Sequence, residues 1–167
     1  VLFPETDSAT FQEWMGNFLT HTQDNNATFQ AMHTYFDGMD TLSVTEQIPF
    51  SSERKWSAMT FFGAGTLVIG APERLSPEKL PESVLEAQQN GKRVLLAGIT
   101  QHPVQKEQPL PEIQLLAEII LTDPLRANAA KTIAAFQQEG VSVKLISGDN
   151  PVTASAIAQE ACIFQGD

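Results

Sequence analysis

The chain has 167 residues, 42% of them hydrophobic, and a net charge of −10. That is enough apolar material for a real core and excludes an intrinsically disordered chain, while the acidic balance argues against nucleic acid or an anionic membrane surface as partner. With a single cysteine, Cys162, there is neither a disulfide framework nor a cysteine-based metal site, no secretory leader is expected, and no apolar run approaches the roughly 20 residues of a membrane-spanning helix.

Asp7 or Ser8 caps a first helix, in which Phe11, Trp14, Met15, Phe18 and Leu19 recur at helical spacing as a stripe that belongs in a core. The polar run from His21 to Asn26 is a loop, and a second helix carries Phe29, Met32, His33 and Phe36 on one face. His33 reads as a packed or half-exposed histidine and not as a ligand. His21 and His102 have no His, Cys or carboxylate at ligand spacing, so no metal site is expected. From Ser43 the texture turns to β: residues 45–49, 55–62 and 66–70 read as strands, with Gly63-Ala64-Gly65 as a tight hairpin connection. A helix is predicted from Pro81 to Gln89, stopped by Gly91, and a strand from Lys92 to Thr100. Residues 101–112 hold three prolines and read as a loop at the domain boundary.

Beyond that loop the pattern becomes β-α-β-α: strand 115–121, helix 127–139, strand 141–146, helix 152–162. Helical crossovers between parallel strands mark a doubly wound sheet. Only two of its strands are present, too few to bury their faces, so this segment reads as half a domain whose open edges invite pairing with another copy. Cys162 falls on an apolar position of the last helix and reads as core.

The chemistry concentrates in three stretches. Ser147-Gly148-Asp149-Asn150-Pro151 follows the apolar run ending at Ile146, with Gly148 turning the backbone, Asn150 as N-cap and Pro151 at the first helical position. Alone, such a stretch is more often plain α/β architecture than a site. Asp123-Pro124-Leu125-Arg126 follows Ile119-Ile120-Leu121, and Gly70-Ala71-Pro72-Glu73 follows Leu67-Val68-Ile69. In this order the three resemble the cytoplasmic portion of P-type cation-transporting ATPases, whose corresponding stretches read KGAPE, DPPR and TGDN. The resemblance is strongest from Pro49 to Ile163.

The resemblance implies an α/β chain. Residues 1–113 would be a nucleotide-binding domain with a mainly antiparallel sheet and packed helices. Residues 114–167 would be an incomplete, haloacid-dehalogenase-like (Rossmann-type) βαβα part of the phosphorylation domain. The intact protein would be a multi-pass protein of the cell membrane, this portion cytoplasmic, coupling ATP hydrolysis through an aspartyl-phosphate to cation transport. ATP and Mg2+ would be its cofactors, and the remaining phosphorylation, actuator and transmembrane domains its partners. This sequence holds neither DKTGT, with the aspartate nucleophile, nor GDGxND, with the magnesium ligands. The chain alone is therefore expected to bind nucleotide without turnover, and to self-associate through its C-terminal half-domain. The alternatives are a stand-alone nucleotide-binding or regulatory module, and a haloacid-dehalogenase-like phosphatase, whose DxDx stretch is absent.

Site residues follow from the same resemblance. Pro49 to Lys55 is similar to the family's PF-S-x-x-RK stretch. Carried over, Phe50 stacks on adenine, a contact of about 1–3 kcal/mol; the alternative is that Phe50 is core. Lys55 stands where the family has a lysine facing the nucleotide. Arg54 is the alternative, because adjacent strand residues point to opposite faces. Arg93 matches an arginine that contacts phosphates, and Gly70 opens the glycine loop beside the nucleotide. Asp123 and Arg126 match the positions near the hinge and the incoming phosphates, Asp123 being otherwise a strand-end cap. Ser147, Gly148 and Asp149 match TGD, the Ser147 hydroxyl replacing the threonine that steadies phosphoryl oxygens. Three departures each remove a polar partner: Ile69 for a lysine expected at the pocket mouth, Phe29 for a glutamate facing adenine, and Ser52 for an arginine. Before Arg54 there is no lysine or arginine against eight Asp and Glu, so any phosphate-binding face must come from later residues.

Overall fold

Helices α1 (Ser8–His21) and α2 (Ala27–Tyr35) form where caps and apolar stripes coincide. The Asp7 carboxylate accepts the Thr10 N–H and hydroxyl, both at 2.8 Å, and these bonds hold its pKa below the ordinary value. Asn26 Oδ1 accepts the Thr28 and Phe29 N–H groups at the start of α2. The structure, a computed structural model, describes residues 1–122 and 125–163. They divide into two compact units, Val1–Leu80 with Val94–Ile119, and Pro81–Arg93 with Ile120–Asp167.

The first unit is built on a five-stranded sheet in the order β1 (Val44–Ile48), β2 (Trp56–Phe61), β3 (Gly65–Gly70), β4 (Arg93–Thr100) and β5 (Gln114–Leu121). The β1–β2, β2–β3 and β3–β4 pairs are antiparallel. The β2–β3 connection needs positive φ at Gly63 and Gly65, 70° and 112°, which explains the two glycines. Trp14 of α1 meets Phe61 of β2 edge-on at 5.4 Å, and Phe18 stacks with Phe29 of α2 at 6.2 Å. Met15, Phe18, Leu19, Met59, Leu67, Val68 and Leu96 are fully buried around these contacts. Buried Asn17 accepts the Thr41 and Leu42 N–H groups and donates to the Glu13 carbonyl and the Thr41 hydroxyl, sewing the chain after α2 onto α1. A one-turn helix α3 (Pro72–Leu75) follows β3.

The second unit holds α4 (Glu82–Gln89), α5 (Ala129–Gln138) and α6 (Pro151–Glu160). Asn150 Oδ1 caps α6 through the Val152 N–H at 2.8 Å, with Pro151 in the first turn as the sequence predicts.

Several expectations are corrected here. Strand 115–121 was expected to open a parallel β-α-β unit, but it is β5, the fifth strand of the antiparallel sheet. A run with little alternation suits any strand covered on both faces, and Leu116, Ala117, Glu118 and Ile119 are all buried. No strand forms over residues 141–146. A strand exists only through its ladder, and here Val141, Leu145 and Ile146 stay exposed, Ile146 at 96%. The βαβα expectation is thus met only in its helices. By compactness, β5 groups with the first unit as far as Ile119 and α4 with the second. The last helix ends at Glu160, and Cys162 is only partly buried, with φ of 58°.

Candidate functional site

The loop between β1 and β2 carries Phe50, which is 40% exposed. That exposure excludes the reading of Phe50 as core. The loop around it is pinned at several atoms. The Phe50 N–H donates to Asp24 Oδ2 at 3.0 Å, Arg54 Nη2 to the Pro49 carbonyl at 2.7 Å, Arg74 Nη2 to the Glu53 carbonyl at 3.3 Å, and the Lys55 N–H to the Ser51 carbonyl at 2.7 Å. The Arg54 guanidinium also lies over the Trp56 ring, 5.3 Å from its centroid.

Lys55 departs from the expected strand geometry. β2 begins at Trp56, and Lys55 sits in the left-handed region at φ 61°, a conformation that costs a non-glycine residue about 1–2 kcal/mol. The alternation expected to separate Arg54 from Lys55 therefore does not operate. Each instead has its own partner, Arg54 on the Pro49 carbonyl and Trp56, Lys55 Nζ on Glu73 Oε1 at 3.0 Å. The Lys55 carbonyl accepts the Ala71 N–H at 2.9 Å. Gly70 makes this turn possible: a Cβ there would lie 2.5 Å from Trp56 Cβ and 2.7 Å from the Lys55 carbonyl oxygen. The close approach at Gly70 is made by its own chain.

Ile69 is 2% exposed. The expectation of a side chain at a pocket mouth is corrected: β3 is covered on both faces, so Leu67, Val68 and Ile69 are all core. Phe29 is likewise core, stacked on Phe18, and presents nothing to a ligand. Ser52 is exposed in the turn before β2.

The second unit joins two residues that the sequence treats separately. Arg93 Nε donates to Asp149 Oδ1 at 2.8 Å and Nη2 to Oδ2 at 3.1 Å, a two-pronged ion pair. The Ser147 hydroxyl donates to Asp149 Oδ2 at 3.1 Å and accepts the Asp149 N–H at the same distance. The Arg93 hydrogen bond first, then its charge and the Ser147 bond, hold the Asp149 carboxyl below its ordinary pKa of 3.8 against partial burial. Thr153 Oγ1 donates to the Lys92 carbonyl at 3.3 Å, fixing the chain just before Arg93 to the first turn of α6. Gly148 has no positive φ and a Cβ there would meet nothing, so the turn does not require glycine, contrary to expectation. Arg126 is exposed, its carbonyl accepting the Ala129 N–H before α5. Asp123 lies outside the described residues. An open cleft of about 420 Å³ is lined by Gln89, Pro151, Val152, Ser155, Ala156 and Gln159, which are all uncharged. Among the described residues no three His, Cys, Asp or Glu side chains converge to hold a metal ion.

No family model matches the chain. Individual relatives do. A probable cation-transporting ATPase, exp7, of Streptococcus pneumoniae is 41% identical over 147 residues, 87% of this chain and 19% of its own length. The calcium-transporting ATPase CtpE of Mycobacterium tuberculosis is 36% identical over 138 residues, 80% and 17% respectively. The zinc/cadmium/lead-transporting P-type ATPase of Escherichia coli is 35% identical over 107 residues, 55% and 15%. The chain belongs with the cation-transporting P-type ATPases. It spans under a fifth of the length of these P-type ATPases, and none of its described helices is long and apolar enough to cross a membrane.

Two partners in this P-type ATPase chain escaped the sequence reading. Glu73 lies within a quoted motif, but nothing in the sequence ties it to Lys55, 18 residues earlier. Asp24 sits in a polar run with no local signal at all, 26 residues from Phe50.

Proposed function

We propose that this chain is the ATP-binding cytoplasmic portion of a multi-pass membrane P-type ATPase, the intact protein hydrolysing ATP through an aspartyl-phosphate to drive cation transport. The observation that carries this reading is the exposed Phe50 ring on a loop pinned by hydrogen bonds, a prepared face for a planar base. Lys55 adds a half-exposed ammonium that is attractive to phosphate but shared with Glu73. Arg93, Arg126, Ser147 and Asp149 are proposed to serve phosphates in the intact enzyme, with residues 114–167 belonging to its phosphorylation domain. Magnesium would be held by residues outside this chain. The relatives' names divide between calcium and zinc, cadmium or lead, so the proposal is for a cation as a class.

One stacking contact and one shared ammonium leave little after association entropy, so ATP is expected to bind with a Kd around 1 mM, about −4 kcal/mol. Amide NMR shifts during an ATP titration test this. Shifts at Phe50, Lys55, Gly70 and Arg93 are expected, together with no phosphate release above background. Shifts confined to residues 125–150, or sustained turnover lost in Asp149→Asn, would overturn the reading.

A further inference from the structure

We infer that Asp24 is a positioning residue for the base-binding face, acting through the backbone of Phe50 and not by touching the nucleotide. The inference rests on the reading of Phe50 as the adenine platform. Phe50 is exposed, so core packing alone does not fix its ring. What fixes the ring's Cα is the backbone. The preceding Pro49 has no N–H to offer, and its carbonyl is occupied by Arg54. The Phe50 N–H is taken by Asp24 Oδ2 at 3.0 Å, a charge-assisted bond.

The remaining ties to the loop come from residues 51–55 and from Arg74 of α3. Of these, the Arg54 bond to the Pro49 carbonyl reaches the peptide unit before Phe50, and the others hold the C-terminal side of the loop. Asp24 reaches it from the α1–α2 connection, where its own N–H is held by the Thr22 hydroxyl at 3.2 Å. That connection is bounded by two helices embedded in the core through Phe18, Leu19 and Phe29. Asp24 thus transmits the rigidity of the core to an aromatic ring that lies outside it. A ring presented in one orientation loses less freedom on binding than a mobile one, so the tie acts on the base-dependent part of affinity.

The test compares adenosine with tripolyphosphate, each titrated by amide NMR against the folded chain. Asp24→Ala is expected to weaken adenosine three- to fivefold and leave tripolyphosphate unchanged. Asp24→Asn, whose amide oxygen accepts the same bond, should restore adenosine binding to within twofold. Asp24→Ser, polar but too short to reach, repeats the loss independently should the alanine variant fold poorly. In a Phe50→Ala background, Asp24→Ala should add no further loss, because the residue acts through that ring. Equal weakening of both ligands, or an undiminished effect without the Phe50 ring, overturns the inference. If Phe50→Ala alone leaves adenosine affinity unchanged, the adenine platform itself is wrong and the inference falls with it.

Discussion

The two units spend similar apolar residues very differently. In the first, α1 places Phe11, Trp14, Met15, Phe18 and Leu19 on one face and all five are buried. In the second, α5 has an even more amphipathic sequence and no buried residue, and α6 buries only Thr153. An apolar face becomes a core only where a second surface meets it. In the first unit that surface is a five-stranded sheet. In the second the apolar run 141–146 finds no strand to pair with, and Phe136, Val141, Leu145 and Ile146 stay in solvent.

Substitutions at matched phenylalanines should display the contrast most strongly. Phe18→Ala removes a fully buried ring stacked on Phe29 and should cost about 3–5 kcal/mol. Phe136→Ala, at a residue that is 52% exposed, should cost less than about 1 kcal/mol. The same change should reduce the concentration-dependent self-association expected from the exposed apolar surface of the second unit, as read by sedimentation. Both tryptophans, Trp14 and Trp56, are buried in the first unit. Denaturation followed by tryptophan fluorescence therefore reports that unit, and hydrogen exchange at α5 and α6 reports the other. A Phe136→Ala penalty as large as that of Phe18→Ala would erase the comparison.

Ile69→Lys sharpens it from within the sheet. A lysine at this buried position must either desolvate its ammonium or distort β3, so the first unit should lose about 3 kcal/mol. ATP affinity should not rise in the folded fraction. A stable variant with several-fold tighter ATP binding would return position 69 to the mouth of a pocket.

The smallest effect belongs to the Arg93–Asp149 pair. It is two-pronged but half-exposed on the arginine side, so Arg93→Met should cost the second unit about 0.5–1 kcal/mol, and less at high salt. The sign with pH follows from the lowered Asp149 pKa. The unfolded chain takes up its proton first as pH falls, so the stabilisation is complete above about pH 4 and is lost as pH drops through the lower folded value. Hydrogen exchange at α6 in wild type and variant should differ at pH 6 and converge in strong acid. A difference that grew on acidification would exclude this pair as its source.

Alternation, caps and glycine turns made most of the first unit legible: α1, α2 and the β2–β3 hairpin with Gly63 and Gly65 lie within a residue or two of their expected positions, as does α4 in the second unit. These are local signals. What sequence did not carry was partnership. The apolar run of β5 did not state which strand it would join, and the run at 141–146 did not state that it would join none. The exposure of Phe50 beside the burial of Ile69 is likewise a property of the assembled sheet, invisible to two apolar residues read alone. The Arg93–Asp149 pair links residues 56 apart, beyond the reach of any spacing rule.

Lys55 and Gly70 leave a mark on the history open to this chain. The left-handed turn at one and the missing Cβ at the other are halves of a single joint. A Cβ at position 70 would collide with the Lys55 carbonyl and with Trp56, so a side chain there is admissible only if that stretch of backbone moves. Glycine would occupy position 55 with less strain. Glycine would in turn forgo the Lys55 ammonium and its pairing with Glu73, the one thing the strained residue adds to the joint.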